Sequence, residues 1–402
     1  MRYALNLLVI GAGPTQAAAI SATKRLGCRV VAVDGNPDAP GLKLADVSIV
    51  HDVKDVEKAV CIGRENRIDG VLSVASEVCL PAVAAVNNAL RLPGLTPEQV
   101  ALATNKGAMR KRYAECGIPS TPYFVIDGKD QIPSACGKVG FPAVIKPVDN
   151  AGSRGVSYVE ALDQVQTSYD KAKVYSRSGR VILEKYMPGT EVAVEAFVAG
   201  GKITILTLSD KERTDPPYLL DTAVMFPSAH PPELQEQIKD IAIRAILALG
   251  LDNCPIHMEQ MVTSDGPKVV ELAARGPGFR VYTDIIPHVT GVNVVEAQVC
   301  LLLGESPSFM PQLPLKGACI RFWGGKRGRV RSISGVEAST TFPGVYDLDI
   351  YVKRGDSVHN LTSGDDRIGH VITLADTREE ACATAQRVFE TVNIEIDEGN
   401  ES

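Results

Sequence analysis

Two glutamates in the second half of the chain have the spacing of a cation site. Residues Ile256–Gly278 read IHMEQMVTSDGPKVVELAARGPG, two apolar runs around a polar turn, which predicts a β-hairpin. With the hairpin centred on Asp265, Glu259 faces Glu271 on the same side of the two strands. Like charges directly opposite each other destabilise a sheet, so we expect a cation between them. Mg²⁺ is typically held by one or two carboxylates plus substrate phosphates; an exposed hairpin whose charges face water is the alternative.

A lysine followed by small residues has the composition of a phosphate-binding loop. Residues 140–159 read GFPAVIKPVDNAGSRGVSYV, which predicts a strand ending at Lys146, a loop over Asp149–Gly155 and a returning strand. In that loop the backbone N–H groups of Gly152, Ser153 and Gly155 can approach phosphate oxygens closely. The sequence contains no GxxxxGK[ST] motif, and a plain hairpin connection is the alternative.

Two further cations stand where they could stabilise an anion. Lys106 follows Asn105, a good N-cap, at the start of a predicted helix, where a lysine opposes the helix dipole unless an anion lies nearby. A solvated lysine is the alternative. Arg275 comes four residues after Glu271 and leads into Gly276-Pro277-Gly278. A cation beside a metal site is suited to hold a developing oxyanion or phosphate.

The elements that precede these residues predict a doubly wound parallel α/β start. A buried strand over Leu5–Ile10 leads through Gly11-Ala12-Gly13-Pro14 into a helix and a second strand ending at Asp34. Because Pro14 and Gln16 do not complete GxGxxG, we favour a turn that binds a substrate group or nothing over a dinucleotide site.

Later segments are mainly β. Arg180–Met187 predicts a strand, and Pro188-Gly189 a hinge between two lobes. The alternation of Glu191–Val198 places Glu191 and Glu195 on one face. Pro232–Leu249 predicts a helix, and short strands follow residue 314.

Composition limits the partners and the compartment. The 402 residues are 45% hydrophobic with a formal net charge of −6, so we expect no nucleic-acid or membrane surface. The basic cluster of Lys326, Arg327, Arg329 and Arg331 predicts an exposed hairpin or, second, a site for an anionic substrate, and the acidic Glu395–Ser402 a frayed tail. Nine unpatterned cysteines indicate reduced thiols. With no targeting or spanning segment, we expect a cytoplasmic protein.

Taken in order, these parts resemble the ATP-grasp superfamily. The motifs are Lys106, IKPVDNAGSRGV, LEKYMPGTEVAVE and HMEQ…ELAAR, within about residues 100–305. The arrangement is most similar to the carboxylate–amine ligase branch, which includes L-amino acid ligases, phosphoribosylglycinamide-synthetase-like enzymes, the ATP-binding halves of the carbamoyl phosphate synthetase large chain, and biotin carboxylase. The fold class implied is α/β: an ATP-grasp fold with an N-terminal doubly wound parallel α/β domain, a two-lobed ATP-binding core and a C-terminal mixed α+β lobe.

The resemblance implies both a domain division and an activity. The domains would be a Rossmann-like pre-ATP-grasp domain over 1–95, a helical connector over 96–124, a mobile lid lobe over 125–190, a core lobe with the metal site over 191–312 and a mixed lobe over 313–402. The enzyme would join a small carboxylate, with an amino acid as first choice, to an amine through an acyl phosphate, giving ADP and phosphate. ATP and Mg²⁺, with Mn²⁺ as an alternative, are the implied cofactors. The implied partners are small-molecule carboxylate and amine substrates, and a homodimer is common in this branch.

The resemblance also implies residue roles. The nucleotide contacts would be Lys106, Lys146, Gly152, Ser153, Arg154, Gly155, Glu184, Lys185, Tyr186, Met187, Glu191 and Lys211. Glu184 would accept from the adenine amino group, the backbone of residues 185–187 would read the ring edge, and Glu191 would bind the ribose. Glu259 and Glu271 would be the metal ligands. Arg275 and Lys146 would be catalytic, with Arg275 stabilising the acyl phosphate and the tetrahedral intermediate.

One position departs from the family pattern. The family usually has asparagine two residues after the second metal glutamate, and here that residue is Ala273. Water or its cross-strand neighbour His257 would fill in, or metal binding would be weaker. A nucleotide-binding regulator that has lost catalysis therefore stays open.

Three enzyme alternatives and the identity of the substrates also stay open. A biotin-carboxylase-like enzyme is disfavoured by the short DNAGSRG loop, and an oxidoreductase on the Gly11-Ala12-Gly13 turn would leave the glutamate pair unexplained. A phosphoribosylglycinamide-synthetase-like ligase is the other family alternative. The candidate substrate contacts are Glu77, Arg275, Arg280 and Arg321.

Overall fold

The computed structural model describes residues 5–397, and its strands form four sheets. The strands are β1 (Asn6–Ile10), β2 (Arg29–Asp34), β3 (Val47–Val50), β4 (Gly70–Leu72), β5 (Tyr123–Ile126), β6 (Ala143–Pro147), β7 (Ser157–Val159), β8 (Val181–Lys185), β9 (Thr190–Ala199), β10 (Lys202–Arg213), β11 (Asp221–Phe226), β12 (Cys254–Thr263), β13 (Gly266–Ala273), β14 (Gly317–Gly324), β15 (Gly328–Ser334), β16 (Val345–Ile350), β17 (Ser357–Val358), β18 (Arg367–Ala375) and β19 (Asn393–Asp397). The helices are α1 (Pro14–Arg25), α2 (Val56–Glu65), α3 (Leu80–Leu90), α4 (Pro97–Ala103), α5 (Lys106–Glu115), α6 (Ile132–Val139), α7 (Leu162–Tyr175), α8 (Pro232–Leu249), α9 (Ile286–Thr290), α10 (Val294–Leu302), α11 (Val336–Thr340) and α12 (Arg378–Thr391).

The first sheet is the parallel sheet that the sequence predicts. Its strand order is β3-β2-β1-β4, and every pairing is parallel. β1 is buried along most of its length, as expected for a sheet covered by helices on both faces. In the glycine-rich turn after β1, the Ala12 N–H donates to the carboxylate of Asp34, the last residue of β2, at 2.6 Å. This hydrogen bond stabilises the turn.

Helix ends follow local capping residues. The Asn105 side chain accepts from the backbone N–H of Ala108, which starts α5 as predicted. α8 covers the predicted range and ends at Gly250 with φ of 63°, a conformation that favours glycine. Thr377 and Glu380 form a reciprocal capping box at the start of α12.

A small antiparallel sheet carries the phosphate-loop candidate. Its order is β5-β8-β6-β7, and β6 pairs with β7 so that Ala143 lies opposite Val159. The connection between these two strands is the predicted small-residue loop. Helices α6 and α7 pack on this sheet around a core that includes Ile145, Tyr169 and Leu183.

The largest sheet has eight strands in the order β13-β12-β9-β10-β11-β14-β18-β16. Within β9 the predicted alternation holds: Val192 and Val194 belong to the core that includes α8, and Phe197 belongs to a second core on the other face. Pro188 and Gly189 stand between β8 of the small sheet and β9 of the large one. The large sheet runs without interruption across the predicted domain boundary at 312, so the domain division stays a prediction.

Two predictions near the C-terminus are wrong. β15, which contains Arg329 and Arg331, pairs with β17 and β19 in a three-stranded sheet, so the basic cluster is not a hairpin with the preceding strand. Residues 395–397, expected to fray, are part of β19 and are tied into that sheet. The remaining part of the predicted tail lies outside the described residues.

Among residues 5–397 no single helix is long and apolar enough to cross a membrane. A bent pair of helical segments, Val281–Thr290 and Val294–Leu302, meets the criterion by length and composition only. Many of its apolar side chains, including Ile285, Val289 and Val299, are buried in the core beside α1.

Candidate active site

A cavity of about 470 Å³ lies where the small sheet, the large sheet and α5 meet. Most of the predicted site residues line it, namely Lys106, Lys146, Gly152, Ser153, Arg154, Glu184, Lys185, Tyr186, Met187, Glu191, Glu259, Glu271 and Arg275. Of the other predicted residues, Lys211 is not part of the lining but contacts three lining carboxylates. Gly155 ends the loop but does not line the described cavity. The roles of all these residues stay predictions.

The glutamate hairpin has the predicted register. Glu259 pairs with Glu271 across β12 and β13, and His257 pairs with Ala273. The turn is tighter than predicted, because Thr263 already pairs with Gly266. A register shift between Glu259 and Gln260 compensates for the shorter turn and brings the carboxylates opposite each other, as a β-bulge does when it re-aims side chains.

Each of these two carboxylates is paired with a lysine. Lys106 Nζ lies 2.8 Å from Glu271 Oε1 and donates to the carbonyl of Asn150 at 2.6 Å. The side chain of Lys106 is 8% exposed, so the alternative of a solvated lysine is wrong. Burial lowers the pKa of Lys106, but Glu271 and Glu77 outweigh burial and raise it above the ordinary value. Lys106 at the N-terminus of α5 therefore stays charged. The Glu271 carboxylate is the nearby anion that offsets its repulsion by the helix dipole.

Lys211 is the centre of a second buried charge cluster. Its Nζ lies 2.9 Å from Glu191 Oε1, 3.2 Å from Asp221 Oδ2 and 2.5 Å from Glu259 Oε1. Arg213 binds the other oxygen of Glu191. Burial lowers the pKa of Lys211, but the three carboxylates raise it well above the ordinary value. Both oxygens of Glu191 are thus bound by cations. A ribose contact would not need these cations, so the arrangement does not support the predicted role of Glu191.

Glu184 is held between two cations at the back of the cavity. Arg110 Nε lies 2.7 Å from its Oε1, and Lys146 Nζ lies 2.8 Å from its Oε2. Burial would raise the pKa of this carboxyl, but the two cations hold it at about 2. The carboxylate therefore already accepts from two charged donors. For the predicted contact, an adenine amino group would have to bind one of the same two carboxylate oxygens.

Arg110 is a site-forming residue that sequence reasoning missed. It is 1% exposed and donates to the carbonyls of Val269 and Val270 at 2.9 and 2.6 Å. It thereby ties α5 to β13 immediately before Glu271, and also to Glu184 on β8. One signal is readable from the chain: Arg110 lies four residues after Lys106 and so falls on the same helix face.

His257 of the hairpin and Glu195 of the neighbouring strand β9 form a buried pair. The ring Nδ1 of His257 lies 2.7 Å from Glu195 Oε1, and Nε2 lies 3.7 Å from Glu259 Oε1. Burial lowers the pKa of His257, whereas the Glu195 and Glu259 carboxylates raise it to about 9. His257 also lines the cavity.

Arg275 lines the cavity, and Glu77, which is not part of the described lining, lies near it with the opposite charge. Arg275 Nη1 donates to the carbonyl of Gly276 at 3.1 Å, and its buried Nε has no hydrogen-bond partner among residues 5–397. Glu77 is buried, and burial together with the nearby Glu271 carboxylate raises its pKa. Arg275 and Lys106 are close enough to act on that pKa in the opposite direction. The Glu77 carboxyl, which follows β4 of the first sheet, and the Arg275 guanidinium, which follows β13 of the large sheet, are therefore close to each other.

The other two candidate substrate contacts lie elsewhere. Arg280 is bound by Asp347 at 2.6 Å and stacks over Tyr346. Arg321 hydrogen-bonds Gln386 and pairs with Glu212 at 3.3 Å. Neither arginine is part of the lining of the described cavity, so the prediction that they contact substrate gains no support from their positions.

The C-terminal lobe contributes a wall that the sequence did not indicate. Asp365 and Arg367 line the cavity together with Phe279. Arg367 lies 3.7 Å from the ring centre of Phe322 and 5.4 Å from that of Phe279, and it donates to the carbonyl of Asp221 at 2.8 Å. These residues are far apart in sequence, and no local motif relates them.

The donor set fits a magnesium ion bound together with a nucleotide. Within the described residues no group of three or more histidine, cysteine, aspartate or glutamate side chains is arranged to hold a metal alone. The opposed carboxylates of Glu259 and Glu271 suffice for Mg²⁺, which commonly takes one or two protein carboxylates plus phosphate oxygens and water. Lys106 and Lys211 neutralise these two carboxylates in the structure, which shows that the pair requires positive charge nearby.

Comparison with known proteins agrees with this geometry. Residues 139–284 match the family model of the ATP-grasp domain, and residues 322–397 match that of the L-amino acid ligase C-terminal domain 2. The chain is 29% identical to carnosine synthase 1 of Gallus gallus, in an alignment that covers 77% of this chain and 36% of that protein. It is 27% identical to the formate-dependent phosphoribosylglycinamide formyltransferase of Burkholderia cenocepacia, covering 97% of this chain and 95% of that one.

A solved structure shows the same fold over nearly the whole length of the chain. The L-amino acid ligase from Bacillus licheniformis superposes with a TM-score of 0.84 at 21% identity, covering 99% of this chain and 100% of that one. The predicted fold class is confirmed by this likeness and by the parallel and antiparallel sheets described above. From the matched domains and the relatives together, the chain belongs to the ATP-grasp superfamily and is a carboxylate–amine ligase of that superfamily.

Proposed function

We propose that this ligase joins an amino acid, through its carboxylate, to an amine or a second amino acid. The γ-phosphoryl group of ATP passes to a carboxylate oxygen, giving an acyl phosphate and ADP. The amine then attacks the acyl carbon, the C–O bond to phosphate breaks, and the amine proton leaves with the departing phosphate or solvent. The protein contributes positioning and charge neutralisation, which dominate catalysis of phosphoryl transfer.

The observation that carries the proposal is the meeting of the opposed glutamates, the buried lysines and the small-residue loop in one cavity. Lys106 and Lys146 would move from their present carboxylate partners to phosphate oxygens when ATP enters. The loop 152–155 would cover the phosphates, and residues 184–187 would border the adenine. Bound Mg²⁺ would neutralise phosphate charge between Glu259 and Glu271.

The amino-acid class is supported by the charges near the first sheet. A substrate ammonium group would be attracted by the buried carboxylate of Glu77, and the developing negative charge of the acyl phosphate by Arg275. The spare Nε of Arg275 leaves it a donor for such an anion. The match of residues 322–397 to an L-amino acid ligase domain supports the same class.

A second candidate substrate class comes from the relative that spans nearly the whole chain. The formate-dependent phosphoribosylglycinamide formyltransferase aligns over 97% of this chain, so formate with phosphoribosylglycinamide is a specific alternative. Formate lacks an ammonium group, and the amino group of phosphoribosylglycinamide is the nucleophile and must be neutral to attack, so Glu77 would have no lasting substrate cation to bind. We therefore place amino acids first.

The test is release of ADP and phosphate from Mg-ATP with amino acids, singly and in pairs. Formate with phosphoribosylglycinamide, glycine with 5-phosphoribosylamine, and bicarbonate form the comparison arms. Release that requires one amino acid and increases with one amine supports the proposal. Release only in the formate arm would replace the substrate class. ATP binding without ADP release in any arm would contradict a ligase of these substrates and favour a regulator that has lost catalysis.

Location and assembly belong to the same proposal. We place the reaction in the cytoplasm, in keeping with nine cysteines that are all free thiols. Small molecules are the proposed partners, with no nucleic acid or membrane. A homodimer is also proposed, and light scattering coupled to size-exclusion chromatography measures it directly.

A further inference from the structure

Strand β14 and helix α12 run side by side in matching steps. Gly317 at the start of β14 lies so close to the residue before α12 that a Cβ there would collide with the carbonyl oxygen of Thr377. Farther along the same strand, Arg321 hydrogen-bonds Gln386 of α12. Four strand residues at about 3.3 Å each and nine helix residues at about 1.5 Å each both span about 13 Å. The two elements therefore stay in step between these contacts.

Two cysteines lie at the midpoint of this contact. Cys319 is midway between the two β14 residues and points to the same face, and the matching midpoint of the helix falls at residues 381–382. A separate contact agrees, because Thr373, the β18 partner of Cys319, donates its hydroxyl to the carbonyl of Ala381 at 2.7 Å. The thiols of Cys319 and Cys382 are thus brought together between strand and helix, where they hydrogen-bond each other.

The two thiols have different surroundings. Cys319 is 2% exposed, whereas Cys382 packs at the edge of the same core and is half-buried. The hydrogen bond from Cys319, helped by the charge of Arg378 one helical turn earlier, outweighs burial and lowers the pKa of Cys382 to about 7. The same hydrogen bond, together with burial, raises the pKa of Cys319. Because the thiolate is the nucleophile, Cys382 is the sulfur that reacts first.

We propose that Cys382 is a reversible oxidation site and that Cys319 is its resolving thiol. The Cys382 thiolate attacks one oxygen of hydrogen peroxide, the O–O bond breaks, and the departing hydroxide takes up a proton to become water. The resulting sulfenic acid is then attacked by the sulfur of Cys319, which loses its proton as a second water leaves and the disulfide forms. Two thiols are oxidised and one peroxide is reduced, and a dithiol reductant restores both thiols.

This oxidation site is separate from the proposed ligase reaction. Neither Cys319 nor Cys382 is part of the lining of the described cavity. The disulfide would join β14 of the large sheet to the helix packed on it, and the reducing conditions of a cytoplasm would make it transient.

The test is peptide mapping of the whole protein after treatment with hydrogen peroxide. Catalase removes the peroxide, N-ethylmaleimide blocks the remaining thiols, and trypsin then places the two cysteines on separate peptides, GACIR (317–321) and EEACATAQR (379–387). We expect these peptides cross-linked, lighter by two hydrogen atoms than the separate pair, and released by dithiothreitol. Cys61 and Cys116 are exposed and act as internal controls, which should remain free at the peroxide dose that oxidises half of Cys382.

Variants separate the roles of the two thiols. Cys319→Ala keeps a small apolar side chain in the core and should trap Cys382 as a sulfenic acid that dimedone labels. Cys382→Ala should leave Cys319 unlabelled, and Cys61→Ala, the matched control, should cross-link as the wild type does. The wild-type map decides the proposal even if a variant does not fold. A wild type without the cross-link, or one in which Cys61 or Cys116 is oxidised before Cys382, would overturn the proposal.

Discussion

Replacing Arg110 with methionine should cost more stability than the same replacement at the exposed Lys111 on the same helix. Methionine keeps the apolar stem but removes the guanidinium, which binds Glu184 and the carbonyls of Val269 and Val270 at 2.6–2.9 Å. Removing one partner of a buried ion pair costs about 3–5 kcal/mol. Lys146 still neutralises Glu184, which reduces that cost, whereas the carbonyl of Val269, which is buried, and that of Val270, which is part-buried, each lose a charged donor at a cost of up to about 3 kcal/mol. Because these terms are not additive, we expect a net loss of about 3–5 kcal/mol.

Guanidinium denaturation followed by circular dichroism measures the loss as a shift of the midpoint at unchanged slope. Lys111→Met is the matched control, because its side chain is 76% exposed and its ion pair with Glu115 spans 4.0 Å; such a pair contributes about 0–1 kcal/mol. ATP affinity should also fall in Arg110→Met, since the freed carbonyls directly precede Glu271. A stability loss below about 1 kcal/mol, equal to that of the control, would refute the view that Arg110 joins the three elements.

Three further predictions follow from the same cavity. Glu271→Gln should abolish Mg-dependent turnover because the amide offers no anionic ligand, and it should lower the thermal unfolding temperature of a still cooperatively folded protein because the buried Lys106 loses its carboxylate partner; normal turnover would remove the metal assignment. Lys146→Ala should weaken ATP binding in isothermal titration by about tenfold or more, since a charged donor to phosphate is lost, and unchanged affinity would count against its phosphate role. The pKa of Glu184 is lowered from its ordinary 4.5 to about 2, so its contribution to stability is complete above about pH 4.5 and is lost as the pH falls towards 2. Denaturation at about pH 5 and about pH 3 should therefore show a larger loss in the wild type than in Glu184→Gln, and parallel losses would contradict the lowered pKa.

Local patterns predicted the elements and the order of the motifs. The period-2 alternation of β9, the turn residues of the hairpin and the capping residues of α5 and α12 each act over a few residues, so they are readable from the chain. The opposition of Glu259 and Glu271 followed from the same alternation. It survived an error in turn length because the register shift between Glu259 and Gln260 compensates for it.

Pairings between distant residues could not be predicted in this way. No sequence pattern near Glu184 indicates that Arg110, 74 positions earlier, binds it. Likewise, no pattern near Phe279 indicates that Arg367 stacks over its ring. The ion pairs that neutralise Glu259 and Glu271 were also missed. Opposed carboxylates require positive charge, but which cation supplies it depends on the three-dimensional packing of Lys106 and Lys211.

The continuous eight-stranded sheet bears on how proteins of this kind can be cut and recombined. β11 pairs with β14 from Ala223 opposite Arg321 to Phe226 opposite Ala318, so the strands beyond residue 312 cover an edge of the nucleotide-binding sheet. A chain shortened there would expose a row of unpaired backbone donors and acceptors, the usual template for aggregation. The C-terminal lobe is therefore not a detachable module. An exchange of this lobe between relatives would keep a folded enzyme only where the incoming strand reproduces the β11–β14 pairing.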